Sequence, residues 1–100
     1  MDMMHTLAEL TAAYGPSGME KGVAGVIEKI AASYCDEVTY DVMGNLFCHR
    51  KGSGPRVMFA AHMDSIGLVA THIDDKGFVH VGAIGGVSPL KVLHAPVRFQ

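Results

Sequence analysis

The run Val57-Met58-Phe59-Ala60-Ala61 most narrows what this chain can fold into, because consecutive apolar residues leave no face for water. A strand with one wet face alternates. An unbroken apolar run behind the turn residues Gly52-Ser53-Gly54-Pro55 reads instead as a strand covered on both faces. Periodicity alone leaves a helix segment open. We expect a strand over 56–61 that delivers His62 and Asp64 at its end. On extended backbone, residues two apart point the same way, so both side chains can face one site. Strand ends in open α/β sheets are where ligands and metals usually bind.

The residues upstream supply what such a strand needs. Met4, Leu7, Leu10 or Thr11, and Tyr14 recur at helical spacing, with Asp2 placed to cap the N-terminus. Gly15-Pro16-Ser17-Gly18 stops that helix. Ser17 and Glu20 match a capping box, in which each side chain satisfies an orphan amide of the next helix. Val23, Ile27, Ile30 and Tyr34 form the apolar stripe of that helix, with Lys21, Glu28 and Lys29 off it. Glu37 to Val42 alternates and is β-rich, Met43-Gly44-Asn45 is a turn, and Leu46 to Arg50 returns as the hairpin partner. Two helices, a hairpin and a covered strand are the opening of an α/β layered domain.

Beyond Asp64 the pattern is all-β. Ile66–Ile73 and Phe78–Val81 read as strands joined by Asp74-Asp75-Lys76-Gly77. Gly82 to Gly86 reads as a break, and Ser88-Pro89 opens a short helical turn through Leu93. Pro96 to Gln100 reads as a strand beginning. Short, closely spaced strands suit a small barrel, so we place a domain boundary at Ser65-Ile66-Gly67, dividing the chain into 1–65 and 66–100.

Composition removes several classes of function. With 49% apolar and 18% charged residues, the chain has the make-up of a soluble globular protein. A formal charge of −2 supplies no basic footprint for nucleic acid. No apolar run reaches the roughly 20 residues of a membrane span, and the start lacks a basic signal region. Cys35 and Cys48 form no Cys-x-x-Cys motif and read as reduced thiols, which points to the cytoplasm.

Few residues remain as candidates for chemistry. On pattern alone, a core or hydrogen-bonded histidine is the more frequent use of His-x-Asp than a metal ligand, and both stay open. Two points favour the ligand: the pair ends a strand apolar enough to be central, and ligating histidines usually donate their second ring N–H to a carboxylate. His72 and His80 lie on opposite arms of the second hairpin, where exposed strand histidines are commoner than a metal pair. Asp74 and Asp75 read as turn residues. Gly82-x-x-Gly85-Gly86 is no nucleotide loop, and Ser17 and Ser65 lack the setting of a hydrolase nucleophile.

The order of motifs is specific where single pieces are not. Tyr14-Gly15-Pro16-Ser17-Gly18-Met19-Glu20 comes first, then Asp41-Val42-Met43-Gly44-Asn45-Leu46, then Ala60-Ala61-His62-Met63-Asp64-Ser65-Ile66-Gly67-Leu68. Thr71-His72-Ile73-Asp74-Asp75-Lys76-Gly77-Phe78 and Ile84-Gly85-Gly86-Val87 follow. Together they resemble the glutamyl and tetrahedral aminopeptidases, a family of cocatalytic metallopeptidases. The resemblance implies a zinc- or cobalt-dependent peptidase domain interrupted by a small β-barrel, homo-oligomeric, acting on peptides in the cytoplasm. It implies two divalent metal ions, His62 as the first metal ligand, and Asp64 as the catalytic-site residue that orients it. That family often has glutamate where Ser65 stands. The loop Gly15–Gly18 becomes a positioned element without an assigned contact.

A dinuclear hydrolase also needs a bridging carboxylate, further ligands and a general base. In the family that the sequence resembles, these come after the inserted β domain, and nothing between Ser65 and Gln100 supplies them. The resemblance therefore implies the N-terminal portion of a longer enzyme, inactive by itself. Two rivals are a truncated module whose β segment serves only oligomer assembly, and a self-contained metal site built from His62, His72 and His80.

Overall fold

Capping chemistry fixes where the first helix begins. In the computed structural model, which describes residues 2–100, Asp2 Oδ1 accepts the amides of Met4 at 3.0 Å and His5 at 3.4 Å. This opens α1, Met3–Ala12. The helix stops short of Tyr14 because Ala13 is already extended on the way to Pro16. The second helix, α2, spans Lys21–Ala31.

The expected Ser17–Glu20 capping box is not formed. A turn closed by the Met19 amide on the Pro16 carbonyl at 2.8 Å, with Gly18 at φ 86°, sets the helix start beyond Glu20. Glu20 itself stands at the cap without capping, and its carboxylate accepts the Gly18 amide at 2.6 Å. Tight backbone packing holds this corner. The Val23 amide donates to the Tyr14 carbonyl at 3.1 Å, and a methyl group on Gly22 would overlap that carbonyl. Val23 and Ala24, packed under the corner, are the buried hydrophobic residues among those described.

The first hairpin follows its turn chemistry. Asp41 accepts the amides of Met43 and Asn45, each at 2.9 Å, and the Asn45 side-chain amide at 2.8 Å. Strands β1, Glu37–Tyr40, and β2, Leu46–His49, pair antiparallel, with Glu37 opposite His49 and Tyr40 opposite Leu46. The Tyr40 hydroxyl donates to Glu28 at 2.8 Å and ties the hairpin to α2. That bond to a carboxylate raises the phenol above its ordinary pKa.

The apolar run does not form its expected strand. Residues 56–61 join no ladder, and Val57, Met58 and Phe59 are 75%, 83% and 95% exposed. A strand exists through hydrogen bonds to neighbours, and each hairpin pairs its two strands with each other and not with residues 56–61. The strand expected over 96–100 is absent for the same reason, with Val97 and Phe99 exposed.

After Ser65 come β3, Gly67–Ile73, and β4, Val79–Ile84, antiparallel, with an irregularity between Ala70 and His72. Asp74 accepts the amides of Lys76 and Phe78, each at 2.9 Å, which closes the turn. Gly82 sits inside β4 opposite Val69, so the expected break begins only at Gly85. A short helix, α3, Pro89–Val92, begins behind Ser88 with proline in its first turn, as expected.

Among the described residues there are two sheets of two strands each, and the second closes no barrel. Two strands cannot reach the tilt and stagger that closure needs. The radius of gyration is 17.4 Å, against about 13 Å for a chain of this length wrapped round its own core. A main-chain tie crosses from the first half to the second. The Ser65 amide donates to the Gly15 carbonyl at 2.8 Å, within an isolated parallel bridge between Pro16 and Ser65. Among the described residues, no helix is long and apolar enough to cross a membrane.

Candidate metal-ligand site

That bridge brings the loop after α1 to the His-x-Asp segment. His62 Nδ1 lies 3.0 Å from Asp64 Oδ1 and 3.2 Å from the Asp64 carbonyl. Both neighbours are acceptors, so the ring nitrogen facing them carries the proton. In the neutral imidazole the lone pair then sits on Nε2. The His62 side chain is 86% exposed, so Nε2 is reachable from solvent. Metal-ligating histidines generally show this arrangement, with the second ring nitrogen donating to a carboxylate.

Asp64 is held from its other side as well. The Ser17 hydroxyl donates to Oδ2 at 2.5 Å, across 47 positions of sequence. The Ser17 bond first, and the His62 contact second, hold the Asp64 carboxyl below its usual pKa. Both stabilise the anion, so Asp64 is a carboxylate at neutral pH.

Of the residues singled out by sequence, the structure thus brings His62 and Asp64 together, although not at a strand end. His72 and His80 are cross-strand partners with ring centroids 5.5 Å apart. His80 also lies 3.8 Å from Asp74 in an exposed setting. Among the described residues, no three His, Cys, Asp or Glu side chains converge to hold a metal, so the His62–His72–His80 set is not assembled. Cys35, ahead of β1, and Cys48, in β2, are free thiols, and burial pushes the Cys48 thiol up. The groove between α1 and α2, lined by Ala12, Val26 and Ile30, includes neither His62 nor Asp64.

Ser17 is the member of the site that sequence reasoning missed. Its S-x-x-E setting offered a complete local role, and no local pattern links position 17 to position 64. The motif containing it was visible as a positioned loop, and the contact that it makes was not.

Comparison with known proteins bears on the whole segment. The sequence profile of the M42 glutamyl aminopeptidase family matches residues 44–100. A lysyl aminopeptidase of Pyrococcus furiosus is 45% identical over 86 residues, covering 85% of this chain. The aminopeptidase APDkam598 from the archaeon Desulfurococcus kamchatkensis superposes with a TM-score of 0.82 at 40% identity, over 88% of this chain and 25% of that one. A TET aminopeptidase from a marine sediment archaeon of the Thaumarchaeota superposes with a TM-score of 0.75 at 30% identity, over 83% of this chain and 24% of that one. This chain spans 30% and 25% of the length of the first two curated relatives.

Proposed function

The chain belongs to the M42 glutamyl aminopeptidase family, and from that premise we propose that it forms the N-terminal part of a metal-dependent aminopeptidase. The intact enzyme would remove N-terminal residues from peptides at a dinuclear site of zinc or cobalt. Residues 1–65 would open its peptidase domain, and 66–100 would begin an inserted β domain. A homo-oligomeric, cytoplasmic enzyme that binds neither nucleic acid nor membrane completes the proposal, by analogy with the family.

One observation carries it: His62 is hydrogen-bonded through Nδ1 to a carboxylate, leaving Nε2 bare and exposed. These residues fit one corner of a metal site, with His62 as the donor and Asp64 as the group that orients it. Bound divalent ions would supply Lewis-acid polarisation of the scissile carbonyl and a lower pKa for the attacking water. This chain's part is narrower. Asp64 keeps the Nδ1 proton in place, and Ser17 and His62 together keep Asp64 ionised.

The test is a chimera in which this chain replaces the matching segment of the Pyrococcus furiosus lysyl aminopeptidase. It should cleave aminoacyl-anilides in a chelator-sensitive way and lose that activity with His62→Ala. An active chimera indifferent to His62→Ala would refute the ligand assignment. Chelator-sensitive cleavage by this chain alone would refute the proposal that the site needs further residues.

A further inference from the structure

We propose that Ser17 is a positioning residue for His62. Its hydroxyl fixes the Asp64 carboxylate, so that Asp64 holds the imidazole in the Nδ1–H form with Nε2 free for a divalent cation. The inference rests on the reading of His62 as a metal ligand.

An exposed His–Asp contact does not fix a ring by itself. With His62 86% and Asp64 38% exposed, water competes for both groups. The terminal torsion of an aspartate is broad and roughly two-fold, so a carboxylate tied through one oxygen can turn away. Here each oxygen has its own donor, His62 on Oδ1 and Ser17 on Oδ2. Two bonds to two oxygens define the carboxylate plane. The Ser17 bond, at 2.5 Å, has the length of a charge-assisted contact.

The serine is itself held by main chain. The Ser65 amide reaches the Gly15 carbonyl, the Met19 amide reaches Pro16, and the Val23 amide reaches Tyr14. None of these bonds uses the Ser17 side chain, so removing the hydroxyl leaves the loop's own ties intact. The hydroxyl has no capping role either, because α2 begins beyond Glu20 without a side-chain cap.

The experiment reads the imidazole nitrogens directly. The 15N-labelled chain is recorded in metal-free buffer at a pH where His62 is neutral, beside Ser17→Ala, Ser17→Thr and Asp64→Ala. The natural chain should show Nδ1 protonated and Nε2 bare. In Ser17→Ala the Nε2 resonance should move upfield toward the protonated position, and Ser17→Thr should restore it. Zinc titration should show weaker binding for Ser17→Ala, by less than the roughly 10–100-fold that follows loss of a ligand's direct partner. A ring spectrum unchanged by Ser17→Ala, or altered equally by Ser17→Thr, overturns the role of the hydroxyl. If Asp64→Ala also leaves the ring unchanged, the reading of Asp64 as the orienting group falls separately.

Discussion

The Ser65 amide meets the Gly15 carbonyl at 2.8 Å, and this backbone bond joins two stretches of chain that otherwise share little. Its consequence lies two residues after Gly15 and one residue before Ser65. Ser17 and Asp64 come within hydrogen-bond reach, and the aspartate in contact with His62 gains a second support. The site is therefore a product of loop geometry, set by main-chain bonds, before any metal chemistry is considered.

If His62 is the metal-binding donor, its substitution should matter more than any other histidine's. In calorimetric titration with zinc or cobalt, His62→Ala should abolish the binding seen for the natural chain. Asp64→Ala should weaken it about 10–100-fold. His72→Ala and His80→Ala should leave it unchanged, because their pair gains no third donor among the described residues. A loss on His72→Ala would instead favour the hairpin histidines.

Acid should open the first hairpin at its turn. Asp41 is held below its usual pKa, first by the Asn45 side chain and then by the amides of Asn45, Met43 and Gly44. A depressed folded value means that the stabilisation is complete above the unfolded carboxyl pKa, near 3.9. It is lost as pH falls through the lower folded value. The Met43 and Asn45 amide resonances should move together in that acidic window and stay flat in Asp41→Asn. Equal acid shifts in the variant would show that another group governs the turn.

Much of the local structure was legible because it rests on neighbours in sequence. Asp2 as a cap, Asp74 as a turn former, and both hairpins need only a few adjacent residues. The Ser17–Glu20 motif misled because a local pattern cannot report that the serine has a better, charged acceptor 47 positions away. The run at 57–61 misled differently. Its apolar content states what it needs, a covered place in a sheet, and no strand among the described residues pairs with it. The His62–Asp64 pairing survived because two residues two apart can meet without that strand.

The corner between the helices should be intolerant of a single methyl group. A Cβ on Gly22 would overlap the Tyr14 carbonyl, which is backbone and cannot swing aside, whereas Gly25 faces open space on the same helix. Gly22→Ala should cost about 1–3 kcal/mol, in the range of overpacking. Gly25→Ala should stabilise by roughly 0.5–1 kcal/mol, as replacing a mid-helix glycine does. Urea midpoints of the two variants should move in opposite directions. A Gly22→Ala midpoint equal to or above that of the natural chain would show that the corner is looser than its geometry.

The exposed run should dominate how the chain behaves in solution. Val57, Met58 and Phe59 present adjacent apolar side chains with neither a ladder nor a covering layer. Contiguous apolar surface of this kind favours self-association, and its unpaired amides and carbonyls can pair with another copy. Phe59→Lys together with Val57→Lys should lower concentration-dependent association in sedimentation and reduce binding of a hydrophobic dye. The β3–β4 resonances should not move, because that hairpin pairs only with itself. Association unchanged by both lysines would move the sticky surface elsewhere, with the exposed valines of the second hairpin, Val69, Val79 and Val81, the next to test.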